Sequence, residues 1–447
     1  MTRLNFRYIL KYILIYMVTL SILVLALIAT TAIPNEAIYD NMVKSAECYK
    51  NEAPYQQDES GKLNRIADNY ADNILLNILW NMKSDTPLQS ALNTQYYNGE
   101  ENGLNYGLYQ TITEGKEPNT DYTRYWHGMV VFLRPLHLWF TIAEIKWIGL
   151  GAAVLLLIAN SLLLLSRKQY FAAAALPLSY VGVHFWLIVK SAEYQPAIII
   201  SLLMSLLFVA LEKKGERWLV SLAVISGVLI GFFDFLTTEI MTILIPLALV
   251  LLIRQAEGSL KAWKDELPFL IKSMLAWGIS YGITFVMKWS MASLVLGENK
   301  FLMAFSSAAE RVAGTGSEET QPLYLQIPFA VIGNLSTLFG GIARVDLVAL
   351  GIGLLVSIGV CGSVFYLFRG DYHKDITVLM LLLGVIPYIR YLVLNNHSYL
   401  HEFFTYRAQA VSILAILSIL WYNTDRAFVG KRKKQGKNRK RQNRKKG

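Results

Sequence analysis

Apolar positions in this chain recur in blocks near the ~20 residues that cross a bilayer, and short stretches carrying Lys and Arg separate them. The blocks predict ten helices, at residues 9–32, 146–165, 171–189, 196–211, 218–234, 239–253, 271–294, 347–368, 376–394 and 403–422. Basic residues in short loops set orientation. The loops at 166–168, 212–217, 254–270 and 369–375 therefore fall on the cytoplasmic side together with both termini. The expected fold is an all-α polytopic membrane protein.

The division that follows has a signal-anchor helix at 1–32, an extracytoplasmic loop with helical segments at 33–145 and six spans over 146–294. A second extracytoplasmic loop at 295–346, three spans over 347–422 and a basic cytoplasmic tail at 423–447 complete it. The first block has the basic flank of a secretory signal, but its apolar stretch is about twice the usual length and lacks a clear small-x-small cleavage site. In the second loop a Gly, Ser and Glu-rich stretch at 312–322 reads as mobile. The apolar segment after it, interrupted by Pro328, reads as re-entrant or interfacial. No repeat of fixed period is visible.

Charge changes the picture little. The chain is 54% hydrophobic with a formal net charge of +10, but its last 17 residues hold eleven Lys and Arg and no acid. Without them the balance is 31 basic against 32 acidic residues. Such a tail attracts anionic lipid headgroups, and a nucleic-acid partner is not expected. Cys48 and Cys361 lie in a loop and in an apolar block, which suggests neither a disulfide nor a thiolate metal site.

Candidate chemistry gathers at the outer ends of the expected spans. Charge at membrane depth costs at least ~2.5 kcal/mol per group and so tends to face a bundle interior or a wet cavity. Asp234 and Glu239 in GFFDFLTTE, Lys288 in the seventh block, Arg390 in the ninth, and His397, His401 and Arg407 in NNHSYLHEFFTYRA all stand near that level. Lys288 and Arg390 have the alternative of snorkelling, whereas the short Asp234 does not. The spacing of His397 and His401 lacks the Glu of an HExxH zinc site. In the first loop, Asp68 and Asp72 are four apart. A helix there would put both carboxylates on one face, where like charge raises one pKa and suits a general base or a cation site; a solvated amphipathic helix is the alternative. Trp126, His127 and Arg134 in RYWHGMVVFLRPL exceed what an interfacial aromatic belt requires.

Taken together, YWHG with RPL, FDFLT, KW in the seventh block and NHSYLHEFFTYR resemble the GT-C type of bacterial multispan glycosyltransferase, which includes protein O-mannosyltransferases and aminoarabinose transferases. The resemblance covers most of the chain in order and spacing. It implies a sugar donor on a polyprenyl phosphate, an extracytoplasmic active site in the bacterial plasma membrane, and an acid of the first loop as base. Asp68 or Asp72 would take that role, although Glu36 and Asp40 stand nearer the first span, where many GT-C enzymes place the acid pair. Arg407, Arg134 and Arg390 would hold the donor phosphate. Trp126, His127, Asp234, Lys288, His397 and His401 would line the substrate site. No cofactor is certain; a divalent cation, Mg or Mn, is an open candidate. Three rivals stand beside this reading: an O-antigen polymerase or ligase, a transporter or flippase of lipid-linked glycans, and a structural or scaffold membrane protein.

Overall fold

The computed structural model describes residues 6–99, 103–313, 322–367 and 373–423. They form a helical bundle with a small helical cap at one end. Seven helices are long and apolar enough to cross a membrane: Arg7–Thr30, Ile142–Ser166, Ala192–Lys214, Glu216–Phe233, Trp263–Leu296, Lys374–Val393 and Glu402–Asn423. Three shorter apolar helices, Tyr170–Gly182, Met241–Ala256 and Leu347–Ser363, occupy the other three expected positions. The protein is thus an all-α polytopic membrane protein. The basic tail and the Gly/Ser/Glu-rich stretch at 314–321 lie outside the described residues.

The first helix, α1 (Phe6–Thr30), runs into the cap. The cap holds α2 (Asn35–Glu47), α3 (Asn69–Trp80), α4 (Pro87–Leu92), α5 (Gly103–Thr113) and α6 (Val130–Leu136). Two antiparallel pairs tie its loops: β1 (Tyr55–Gln56) with β2 (Ala67–Asp68), and β3 (Gln95–Tyr96) with β4 (Thr120–Asp121). A seam of asparagines organises it. Asn69, Asn73 and Asn77 repeat every four residues along α3, so they share one face. Their amides reach Ala53 O at 3.0 Å, Asn105 Oδ1 at 2.9 Å and Thr111 Oγ1 at 3.2 Å. Buried polar groups require such partners, and here the partners lie in α5 and in the strand-forming loops.

A capping box opens α7 (Ile142–Ser166), where Glu144 Oε2 accepts from Thr141 N–H and Oγ1, both at 2.8 Å. Next comes α8 (Tyr170–Gly182), which stops earlier than the expected block at 171–189. His184 takes a left-handed φ of 53°, and the chain goes on as short 3-10 turns at Phe185–Lys190 and Ala192–Tyr194. That break is what carries Glu193 and Tyr194 into the cap end of the bundle.

Then follow α9 (Gln195–Leu211), α10 (Glu216–Phe233), α11 (Met241–Ala256) and α12 (Trp263–Leu296). Gly227 and Gly231 of α10 form a small-xxx-small motif that lets backbones approach. A Cβ at Gly227 would lie 2.3 Å from Trp277 O of α12, so only glycine fits there. After these come α13 (Phe301–Ala313), α14 (Leu323–Leu338), α15 (Leu347–Leu367), α16 (Lys374–Val393) and α17 (Asn395–Leu400). The segment expected to be re-entrant is α14, one helix that passes through Pro328 without ending. The final helix, Glu402–Asn423, tightens into a 3-10 turn over Tyr406–Gln409.

Candidate functional site

Where the cap meets the bundle, six separate segments enclose a polar, aromatic cavity of about 260 Å³. Its walls are the β1 and β2 strands with the start of α3, the stretch 122–125, the turn at Glu193 and Tyr194, the loop after α10, the end of α13, and α17.

Asp68 lies in this wall. It is the N-cap of α3, and its Oδ1 accepts from Ala71 N–H at 2.9 Å. Burial pushes its carboxyl up to about 7; the negative charge of Asp72 adds to this and the Ala71 bond opposes it. Asp72 is one turn on but does not line the cavity. Its Oδ1 accepts from Ser191 Oγ at 2.7 Å and Ala192 N–H at 2.8 Å, and its Oδ2 from Tyr49 OH at 2.8 Å and Lys146 Nζ at 3.3 Å. Four donors leave it no room for a substrate proton. The shared helix face expected for the two acids is absent because Asp68 precedes the helix. Glu36 and Asp40, nearer the first span, are exposed on α2.

His397 and His401 both line the cavity, with ring centroids 4.8 Å apart. His397 Nε2 is 2.9 Å from Leu236 O, and His401 stacks on Phe404 at 5.2 Å. Burial pushes His401 down to about 4 and His397 well below the usual imidazole range. Both rings are neutral at pH 7 and act as hydrogen-bonding groups.

The other expected site residues serve the architecture. Arg134 donates from Nε at 3.2 Å and Nη2 at 2.6 Å to Ile33 O, from Nη2 to Asn35 Oδ1 at 2.9 Å and from Nη1 to Leu79 O, which locks the α1–α2 corner to the end of α3. Arg390 forms a forked pair with Glu239 at 2.7 and 2.8 Å and also reaches Leu236 O at 2.6 Å. Asp234 closes its own turn by accepting from Thr237 N–H and Oγ1. Lys288 donates to Leu92 O at 2.9 Å, satisfying the end of α4. Trp126 Nε1 donates to Thr284 O at 2.8 Å, and its ring packs on Phe232 at 5.2 Å. His127, at φ 54°, sits behind the cavity wall with Nε2 3.2 Å from Tyr122 O, and burial pushes it down to about 3.

Four cavity residues carry charge that sequence reasoning did not single out or resolve. Arg124 lies over Tyr122 at 4.0 Å and donates to Ser307 Oγ at 3.3 Å. Arg311 lies over Tyr125 at 5.5 Å and donates to Ser307 O at 2.7 Å. Glu310 stands next to Arg311 in the wall. Glu193 is buried, and among the described residues neither of its carboxylate oxygens has a hydrogen-bond partner. Arg407 is buried just behind the wall, 4.6 Å over Tyr194 and 5.1 Å over Tyr406, with Nε and Nη2 unpartnered. Among the described residues Arg124, Arg311 and Arg407 have no carboxylate within 4.0 Å: Glu402, the nearest acid in sequence to Arg407, is taken by Arg344 at 2.9 Å. The visible signal for Arg124 was its place in RYWH. Arg311 resembles an ordinary interfacial charge in sequence, whereas Glu193 stands with His184 and Lys190 among the polar groups that end the third expected span.

Asp68 and Glu193 face one cavity, and among the described residues no group of three or more His, Cys, Asp or Glu is arranged to hold a metal. A divalent ion there would draw its remaining ligands from substrate oxygens. The fold and cavity define a polytopic helical membrane protein with a buried, charged and aromatic chamber at the cap end. Comparison with protein families, curated proteins and solved structures finds no match for this chain.

Proposed function

We propose that this protein is a membrane glycosyltransferase that moves a sugar from a polyprenyl-phosphate donor to an acceptor hydroxyl on the extracytoplasmic side of a bacterial plasma membrane. One observation carries the reading: Asp68 is a buried carboxyl poised near neutrality in a cavity also lined by two arginines that, among the described residues, have no carboxylate within 4.0 Å. General-base catalysis works best with a pKa close to the working pH. Asp68 takes the acceptor O–H proton. The acceptor oxygen then bonds to the anomeric carbon while the bond from that carbon to the phosphate oxygen breaks, and lipid phosphate leaves with the bonding electrons. Arg124 and Arg311 offset the charge on the leaving phosphate, as guanidinium forks do well. His397 and His401, neutral at pH 7, orient sugar hydroxyls. The phosphate contacts expected of Arg134 and Arg390 pass to Arg124 and Arg311, because the first two are consumed by carbonyls and by Glu239.

The test is turnover of purified protein with a panel of polyprenyl-phosphate sugars, scored as release of lipid phosphate. Asp68→Asn keeps the helix cap and removes proton acceptance, so turnover falls by roughly 10²- to 10⁴-fold with donor binding retained. Asp72→Asn lowers thermal stability first. Full turnover in Asp68→Asn overturns the assignment.

A further inference from the structure

A second, larger cavity of about 860 Å³ opens between α8, α14, α15, α16 and the final helix. That is near the top of the roughly 300–1,000 Å³ range of sites for organic ligands. Its long walls are aliphatic, contributed by residues such as Leu335, Val356, Leu381 and Ile416, and no Asp or Glu among the described residues lines it. One end is different. Lys62, Asn64 and Arg65 reach over it from the cap segment, with His184 beside them. The segment is held there by the Leu63 N–H bond to Gly341 O at 3.0 Å, just past the end of α14.

We propose that this cleft holds the chain of a polyprenyl phosphate, with the phosphate at the mouth beside Lys62 and Arg65. The proposal rests on the transferase reading for the identity of the lipid; the cleft itself argues for a long apolar chain with an anionic head. Two cations match a monoester phosphate, which carries about −1.5 to −2 at pH 7, better than the single charge of a phospholipid diester. Arg65 is held only by an exposed pair with Asp58 at 3.3 Å. Such a surface pair contributes little to stability, so it gives way to phosphate readily.

The wall on the far side is thin. Val348, Leu354, Leu355 and Ile358 of α15 are exposed on its outer face, so one helix separates the cleft from surrounding lipid and the chain enters past it. A series of ring contacts runs from the cleft to the polar cavity. His184 at the mouth lies 6.2 Å from the Tyr406 ring, and Arg407 sits over both Tyr406 and the cavity residue Tyr194. The lipid phosphate released in the chamber of Asp68 therefore passes Arg407 on its way to the mouth.

The two native cysteines provide the test. Cys361 lines the cleft, whereas Cys48 is exposed on the cap. In full-length protein in phosphatidylcholine nanodiscs, polyprenyl phosphate slows maleimide labelling of Cys361 and leaves Cys48 unchanged. Polyprenol and phosphatidylglycerol at the same concentration protect less. Lys62→Glu with Arg65→Glu, both exposed positions, weakens protection by about tenfold or more, the size expected for losing charge-assisted bonds. Val360→Trp fills the cleft and weakens protection by both lipids, with the melting temperature checked to exclude misfolding. Unchanged Cys361 labelling at saturating polyprenyl phosphate overturns the proposal. So does equal protection by phosphatidylglycerol. Protection of Cys361 in a protein that transfers no sugar supports the cleft and sinks the transferase reading of the polar cavity.

Discussion

Two sets of buried and half-buried charge meet at the cap end of this molecule, and they differ in what holds them. At the corners of the fold the charged groups named here have strong partners: Arg390 has Glu239, although its Nη1 is left over, Asp72 has Lys146 and three neutral donors, and Arg134 has two carbonyls and an amide. Around the cavity the charges are left open. Among the described residues Glu193 has no partner for either oxygen, Arg407 has two idle N–H groups, and Arg124 and Arg311 touch a serine but no acid within 4.0 Å. A buried charge without a partner is expensive, so a site that keeps several together is held for something that arrives later. The first set positions; the second is the one that the proposed transferase reading assigns to substrate.

Removing one member from each set breaks or sharpens this contrast. Arg390→Met strands Glu239 in the interior and lowers stability by about 3–5 kcal/mol, read from thermal or denaturant melts of the purified protein. Changing Glu239→Gln in the same chain restores part of the loss, because the two residues act as one unit. Arg311→Met removes a single bond to Ser307 O and costs about 1 kcal/mol. Its effect falls on donor affinity instead. If both arginine variants unfold alike, the distinction between positioning charge and available charge does not hold.

A smaller and pH-dependent effect belongs to Asp68. Its folded pKa of about 7 stands above the usual 3.8, so the folded state binds the proton more tightly than the unfolded chain does. Stability from this group is complete below about pH 4 and is lost as pH rises through 7. Asp68→Asn escapes the loss. It is more stable than the parent at pH 8, by up to about 4 kcal/mol if the whole shift is linked to folding, and the two converge near pH 4. Turnover of the parent rises over the pH range in which Asp68 ionises. A variant less stable than the parent at every pH would mean that the carboxylate is a structural anion like Asp72.

Much of this was legible from the sequence, and the part that was not has a physical cause. Helix positions followed from apolar length, because a bilayer allows few alternatives to a helix of that size. The third block misled at its end: a left-handed His184 breaks it, and nothing in the pattern of FWLIVK marks a 3-10 turn. Asp68, His397 and His401 were found because polar groups among apolar neighbours stand out. Arg134, Arg390 and Lys288 stood out equally, but their partners are separated by long stretches of chain, such as the 151 residues between Glu239 and Arg390. Sequence shows which charges are costly; only the fold shows which are paired.

Arg407 gives the finest discrimination. A buried guanidinium calls for an anion, and Asp234, Glu402 or a phosphate would serve. The fold removes the first two, since Asp234 is turned onto Thr237 and Glu402 onto Arg344. What remains is a guanidinium stacked between Tyr194 and Tyr406, its unused donors lying between the apolar cleft and the chamber of Asp68. Arg407→Lys keeps the charge and loses the planar fork and the stacking. Because no carboxylate within 4.0 Å is left stranded, the melting temperature stays near that of the parent, while affinity for polyprenyl phosphate falls by about three- to tenfold, the loss of roughly one neutral hydrogen bond's worth of free energy. Binding measured on detergent-solubilised protein beside a thermal melt separates the two quantities. A lysine variant that binds normally but melts early would place Arg407 with the positioning charges, and the route from cleft to chamber would then run through Arg124 and Arg311 alone.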